Sequence, residues 1–334
     1  MFKYIVKRLL ISIIILLGVS IIIYTMVRLM PTDFVDTKYA SQLSSGTITQ
    51  ADIDHFKELY GLHDNSFGGI MKGYFTWLGN MLKGDFGISF KYEKPVGQVI
   101  AENMWISFAI ALVATILQFA ISIPLGISSA THQYSIRDYT VTVFTMIGLS
   151  LPTYFFAAIV IKIFSVDLGW FPSNGLIYPT ASYADNFAGA MAKFGDILHH
   201  LTLPIFVSVI LSLGGLMRYT RTNMLEVLNT DYIRTARAKG LSEKKVIYKH
   251  AFRNTLIPLA TLLAGILPGL FGGMMITEQV FGIPGIGNKA YIALKDGDIP
   301  FIMGYNMFLA VLTVIGTLLS DIMYSIVDPR VKLK

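Results

Sequence analysis

The chain has 334 residues, 54% of them hydrophobic and only 14% charged, with a formal net charge of +6. Soluble domains carry roughly 25% charged residues, so this deficit, together with long uncharged runs, argues for a polytopic membrane protein rather than a soluble core, and the helical spans below make the expected fold class an all-α polytopic membrane protein. The absence of cysteine excludes disulfides, thiolate metal sites and cysteine nucleophiles.

A membrane-spanning helix needs roughly 20 mostly apolar residues. The first candidate is Leu9–Leu29, preceded by Lys3, Lys7 and Arg8. Its apolar run is too long for a signal peptide, and the following RLMPTD offers no small-residue cleavage pattern. Residues 1–30 are therefore read as an uncleaved N-terminal span. Further spans are predicted at about 100–130, 139–165, 201–217, 256–280 and 301–327. Six spans bring both termini to one side, and the tail at 329–334 is basic, as a cytoplasmic tail should be. With an inside N-terminus, eight of the nine arginines (all but Arg28) fall on or near the cytoplasmic side. The bland source of the excess positive charge is this positive-inside bias rather than nucleic-acid binding.

Residues 31–98 are predicted to form a small external subdomain. Thr49 is a candidate N-cap for a helix carrying Ile53, Phe56, Leu59 and Tyr60 at helical spacing. A second amphipathic helix, stopped by Gly84 and Gly87, would place Tyr74, Phe75 and Trp77 at the membrane interface. The outer loop Val166–His200 carries Asp167, Asp185 and Asp196 against Lys193 alone.

Within residues 99–328, Pro124 and Pro152 are expected to kink their helices, with Ser150 able to satisfy a freed carbonyl. The segment GIPGIGNKA, Gly282–Ala290, superficially resembles a phosphate-binding loop. That loop needs lysine directly after its last glycine and then Ser or Thr, whereas Asn288 intervenes and Ala290 follows. The segment is read instead as a tight re-entrant turn between the last two spans. Ser150, Pro152, Gly282, Pro284, Gly285 and Gly287 are candidates for shaping a transport pathway, the glycines by adopting backbone conformations closed to other residues. His199–His200 lacks a third ligand at helical spacing and is read as a polar cap rather than a metal site. Lys162, Glu278 and Asp321 are ionisable residues inside spans, where a functional role is the default hypothesis. No hydrolase constellation is present.

The stretch TDYIRTARAKGLSEKKVIYKHAFRNTLIP, Thr230–Pro258, holds seven basic residues against Asp231 and Glu243, or +5 of the chain's +6. It lies in the inward loop 218–255. A helix running to Gly240, whose glycine can cap it, should be followed by a second helix capped by Ser242 with Glu243 in its first turn. A short helix with small residues and two arginines suits docking into a groove of a protein partner, so the loop reads as a coupling element.

At this stretch the chain resembles the permeases of binding-protein-dependent ABC importers, whose loop signature is Glu-Ala-Ala, three residues, then Gly. The matching positions are Arg234, Thr235, Ala236 and Gly240; the glutamate and the first alanine are replaced, as in the peptide-importer branch. KYIVKRLL, MVRLMP, GDFGISF, GLSLPTYF, EQVFGIPGIGNKA and DIMYSIVDPR extend the likeness to the first permease of oligopeptide and dipeptide importers. The resemblance implies a type 1 importer permease fold and a multi-pass, non-catalytic half-transporter of a bacterial cell membrane. It implies pairing with a homologous second permease, two cytoplasmic ATPases and an external substrate-binding lipoprotein. ATP and magnesium would be bound by the ATPases, with no cofactor in this chain. Arg234, Thr235, Ala236, Arg237, Ala238, Lys239 and Gly240 would then form the ATPase-coupling loop, with Ala236 and Ala238 permitting close approach. Nickel chelates or other small peptide-like compounds are the alternative cargo within the family. A stand-alone secondary carrier would show inverted repeats or a midplane ion site, and neither is evident.

Overall fold

A computed structural model describes residues 2–28, 40, 43–46, 48–59 and 66–327. The basic tail at 329–334, the MVRLMP segment beyond Arg28 and the side chains of Phe56, Leu59 and Tyr60 lie outside what is described. Among the described residues two compact units are present, one built from residues up to Trp105 with Lys289–Ile315, the other from Ile106–Asn288 with residues 316–327.

In the first unit, α1 (Phe2–Arg28) is the N-terminal apolar helix. The short α2 (Gln50–Leu59) starts at a reciprocal cap. Thr49 Oγ1 accepts from the Asp52 N–H at 3.2 Å, and Asp52 Oδ2 accepts from the Thr49 N–H at 2.8 Å. Next, α3 (Phe67–Leu82) is capped by Ser66, whose hydroxyl accepts from the Gly69 N–H at 3.1 Å, and it stops before Gly84 at φ +84°. Tyr74 and Trp77 turn away from any lipid surface. They are 7% and 2% exposed and pack with Tyr24, Ile53, Ile299 and Met303 in one core. The Tyr74 hydroxyl meets Ser20 Oγ at 2.8 Å, which gives its polar end a partner inside that core. Of the three aromatics expected at the membrane interface, only Phe75, 60% exposed, keeps an outward position. A tight hairpin of β1 (Ile88–Ser89) and β2 (Lys94–Pro95) follows, paired Ile88 with Pro95 and Ser89 with Lys94. The buried Asp298 fastens it, accepting from Ser89 Oγ at 2.5 Å and the Lys91 N–H at 3.1 Å.

The remaining helices are α4 (Val96–Thr131), α5 (Ile136–Ser150), α6 (Thr153–Val160, continued by π-helix to Asp167) and α7 (Phe187–Leu228). Then come α8 (Asp231–Ala238), α9 (Glu243–Lys245), a π-helical turn Val246–Ala251, α10 (Phe252–Thr261) and α11 (Leu263–Gly272). The chain closes with α12 (Met275–Val280), α13 (Ile286–Asp296) and α14 (Ile299–Val327). Among the described residues, four helices are long and apolar enough to cross a membrane, within α1, α4, α7 and α14, and the pair α5–α6 makes a fifth.

That pair is bent by 106° at Leu151–Pro152. Leu151 is extended (φ −83°, ψ 127°), as the residue before proline prefers. The Ser150 hydroxyl returns to the Met146 carbonyl at 2.8 Å, satisfying a carbonyl of the last turn. Pro124 lies inside α4 without ending it. The predicted span at 256–280 is one chain of three helical pieces rather than a continuous helix. Each ten-residue piece reaches only about 15 Å at 1.5 Å per residue, and Gly273 at φ +75° breaks the path between α11 and α12. Within the second unit, α5 and α7 approach closely through Gly148 and Gly214. A Cβ added to Gly148 would lie 3.1 Å from the Ile210 carbonyl oxygen, and one on Gly214 would lie 2.9 Å from that of Thr145. Small residues at such crossings let helices meet where no hydrophobic force drives them together.

Candidate functional site

The basic loop folds as helix, break, helix. Asp231 stands in the first turn of α8 and Arg237 in its last, each on the side that the helix dipole favours. Gly240 takes φ +76°, the left-handed conformation that lets the chain leave the helix. The Ser242 hydroxyl makes no cap hydrogen bond, contrary to expectation; its carbonyl instead accepts from Lys245 and Val246 N–H. The second helix is also not uniform, passing through a π-helical turn before α10.

α8 has two faces. Ile233, fully buried, and Ala236, 7% exposed, pack on Ile127 and Ala130 of α4, Met224 of α7, and Val246 and Ala251. Ala236 is thus packed inside its own chain, and its small size is needed there. The opposite face, Asp231, Arg234, Thr235 and Ala238, follows a one-turn repeat and is exposed. Tyr232 flanks it at 45% exposure. Arg237 is already engaged, with its Nη2 2.6 Å from Glu243 Oε1 across the Gly240 turn. That hydrogen bond holds the Glu243 carboxyl below its ordinary range and raises Arg237. Arg234 sits 3.4 Å from Asp231 in a fully wetted pair, which leaves its guanidinium open to a better partner. Lys239 and Gly240 complete the exposed end.

The glycine-rich turn is a different device. Glu278, fully buried, lies under it. Its Oε1 accepts from Ser107 Oγ at 2.7 Å and the Met274 N–H at 2.9 Å; Oε2 accepts from the Asn288 N–H at 2.9 Å. Ser107 Oγ in turn accepts from the Ile286 N–H at 2.8 Å. The resemblance to an anion-binding loop has a physical basis: the turn opens α13, whose Asn288 N–H holds the protein's own carboxylate directly while its Ile286 N–H holds it through Ser107 Oγ. A plain re-entrant turn would not have predicted α13. Of the three candidate glycines, only Gly282 needs its conformational freedom, at φ +59°. Gly285 and Gly287 serve close approach. A Cβ on Gly285 would lie 2.5 Å from Ser107 Oγ, and one on Gly287 would lie 2.8 Å from the Met275 nitrogen. Ile283 beside Pro284 is fully buried with Phe281, Ala157 and Val207. Ser150 and Pro152 stand at the α5–α6 bend and are not among the contacts of Glu278.

Glu278 was visible in the sequence as a charge inside a span, but nothing in the spacing identified Ser107, 171 residues away, as its partner. Lys162 and the histidine pair have more ordinary partners. Lys162 pairs with Asp167 at 2.9 Å. His200 is buried beside Asp196, with Nδ1 2.9 Å from that residue's carbonyl, and His199 Nε2 lies 2.8 Å from the Trp170 carbonyl.

The family model described as binding-protein-dependent transport system inner membrane component matches residues 122–333. The oligopeptide transport system permease protein AppB of Bacillus subtilis (strain 168) is 41% identical over 333 residues, 99% of this chain and 100% of that protein. The corresponding protein OppB of Haemophilus influenzae is 34% identical over 264 residues, covering 79% of this chain and 81% of its own length. A chain from inward-facing structures of the MetNI methionine ABC transporter superposes with a TM-score of 0.53 at 18% identity, covering 69% of this chain and 97% of the other. At that identity the likeness concerns the fold.

Proposed function

The chain belongs to the family of binding-protein-dependent transport system inner membrane components, and on that premise we propose that it forms half of the translocation pathway of an ATP-driven peptide importer. As a permease of this family it is a multi-pass membrane protein and a transport subunit rather than an enzyme, and such permeases work with an ATPase and a substrate-binding protein. The finer assembly is part of the proposal: a homologous second permease, two cytoplasmic ATPases and an external binding lipoprotein, with both termini of this chain in the cytoplasm. Peptide cargo is supported by relatives named for oligopeptide transport that match along most of their length.

The observation that carries the coupling role is the two-faced α8. Its inner face is locked into the second unit through Ile233 and Ala236, while Arg234, Thr235 and Ala238 form an outer stripe that its own chain leaves uncovered. A helix held this way transmits force from whatever grips its outer face. The stripe is small-sided and carries Arg234 beside Asp231, with Lys239 at its end, so a groove offering carboxylates or carbonyls can compete for that guanidinium.

The test is copurification of the ATPases with the membrane-inserted complex. Ala238→Glu and Arg234→Glu should each lose the ATPases and peptide uptake while insertion stays normal, since loss of a central contact typically costs about 2 kcal/mol or more. Ala236→Glu is unsuitable, because its charge would be buried in the chain's own core. Neutralising Lys244 and Lys245 together should leave recovery unchanged. If the lysine pair alone is required, the loop is a lipid-facing charge patch and the proposal is wrong.

A further inference from the structure

One buried charge cluster lies close to the packed core beneath α8. Asp138, 3% exposed in the first turn of α5, accepts hydrogen bonds from four directions. Arg221 of α7 grips it with both arms of the guanidinium, Nε to Oδ1 and Nη2 to Oδ2, each at 2.9 Å. Ser129 of α4 donates its hydroxyl to Oδ1, and Arg221 Nε lies 3.0 Å from that same hydroxyl oxygen. The Tyr134 N–H donates to Oδ2 at 3.0 Å. Tyr134 sits at φ +61°, a conformation costly for a residue with a Cβ, so the turn between α4 and α5 is held against local preference.

The last turn of α4, the first turn of α5 and the closing part of α7, two turns before Leu228, thus meet in one charge-assisted node. Ser129 stands between Ile127 and Ala130, and Arg221 one turn before Met224. Those three neighbours are the α4 and α7 residues on which Ile233 and Ala236 of α8 rest. α8 is therefore seated on α4 and α7, while the first turn of α5 joins the same ends through Asp138. Capping of α5 alone does not require this arrangement. Ser135 already supplies the cap hydroxyl, 3.3 Å from the Asp138 N–H, and an arginine from 83 residues away adds nothing to a cap. Bidentate pairing between planar groups fixes relative orientation as well as distance, which a member transmitting movement needs.

We propose that Asp138 and Arg221 are positioning residues for transport: they clamp the ends of α4, α5 and α7 into one rigid piece with α8, so that ATPase movement reaches three helices together. The proposal rests on α8 being the ATPase-facing helix, but the clamp itself can be read without the ATPases.

The experiment uses the full complex in lipid, with spin labels on Ile136→Cys and Tyr248→Cys, two exposed positions in a chain that has no cysteine of its own. In the otherwise native chain the 136–248 distance should be single and narrow, and equal in the nucleotide-free and vanadate-trapped states. Asp138→Asn keeps the shape and removes the charge. It should broaden the distance already in the nucleotide-free state and lower peptide uptake per ATP about tenfold, a usual size for a coupling effect, while basal hydrolysis persists. Arg221→Lys keeps the charge without the paired geometry and should show the same broadening; it also serves if Asp138→Asn fails to insert. A native distance that changes between states, or variants as narrow and as well coupled as the native chain, would overturn the clamp. Failure of the ATPases to copurify with native α8 would defeat the functional reading instead, while the nucleotide-free distance still reports on the clamp.

Discussion

Gly285 illustrates how a single hydrogen atom can decide a site. Its neighbours are Ser107 Oγ and the Glu278 carboxylate, and both are fixed by hydrogen bonds from backbone N–H groups, those of Ile286 and Asn288 in α13 and of Met274 just before α12. Neither is the free end of a flexible chain, so Gly285→Ala must push the turn away from the carboxylate. Overpacking of this kind costs about 1–3 kcal/mol, and thermal unfolding of the purified complex should show a lowered midpoint. Glu278→Gln probes the same node from the other side. An amide offers one acceptor where the carboxylate offered two, so either Asn288 N–H or the Ser107–Met274 pair would face another donor. A buried donor left without an acceptor costs about 1–3 kcal/mol. If both variants melt like the native protein and transport peptide normally, the turn is not held by Glu278.

At the scale of elements, α8 and the turn after it are braced by Arg237 and Glu243 across Gly240. The Glu243 pKa is depressed by the hydrogen bond from Arg237. A carboxylate depressed in the folded state contributes stability that is present above its unfolded pKa, near 4.3, and is lost as pH falls through the lower folded value. The brace should therefore be insensitive to pH from neutrality down to that range and fail only below it. Both groups are about half exposed, so the contribution is small, roughly 0–1 kcal/mol. Hydrogen exchange of the 236–246 amides should be flat in protection down to about pH 5, and Glu243→Gln should remove any step below it. A step near neutral pH would show that another group governs the turn. Local chemistry made much of this legible in advance: Gly240 as a helix stop, Thr49 as a cap and the bend at Pro152 all follow from residues next to one another. What stayed hidden depends on partners distant in sequence. The inward face of Ala236 is defined by Ile127 and Met224, the burial of Tyr74 by Ser20 and Tyr24, and the role of Gly285 by Ser107. The interruption of the 256–280 span was half visible, since Pro268, Gly272 and Gly273 are there to be read, but an apolar run alone does not show where three short helices replace one long one.

For the whole molecule, the remaining question is which side faces which compartment. The 18-residue apolar window of α1 is only 11% buried by its own chain, against 50% for that of α7. α1 therefore relies on lipid or another subunit for its cover, which is tolerable only inside a bilayer. The arginine distribution orients the rest. Arg137, Arg218, Arg221, Arg234, Arg237 and Arg253 cluster around two loops, while Val166–His200 has three aspartates and one lysine. Moving the first set across the membrane would oppose the bias that fixes topology. Because the chain contains no cysteine, single substitutions report accessibility without background. Ser66→Cys, beside the 80%-exposed Phe67, should react with a membrane-impermeant maleimide added outside intact cells. Tyr248→Cys, at a position 53% exposed in the basic loop, should react only after the membrane is opened. Labelling of position 248 from outside, or of position 66 from the cytoplasm alone, would invert the topology and with it remove α8 from reach of any ATP-driven partner.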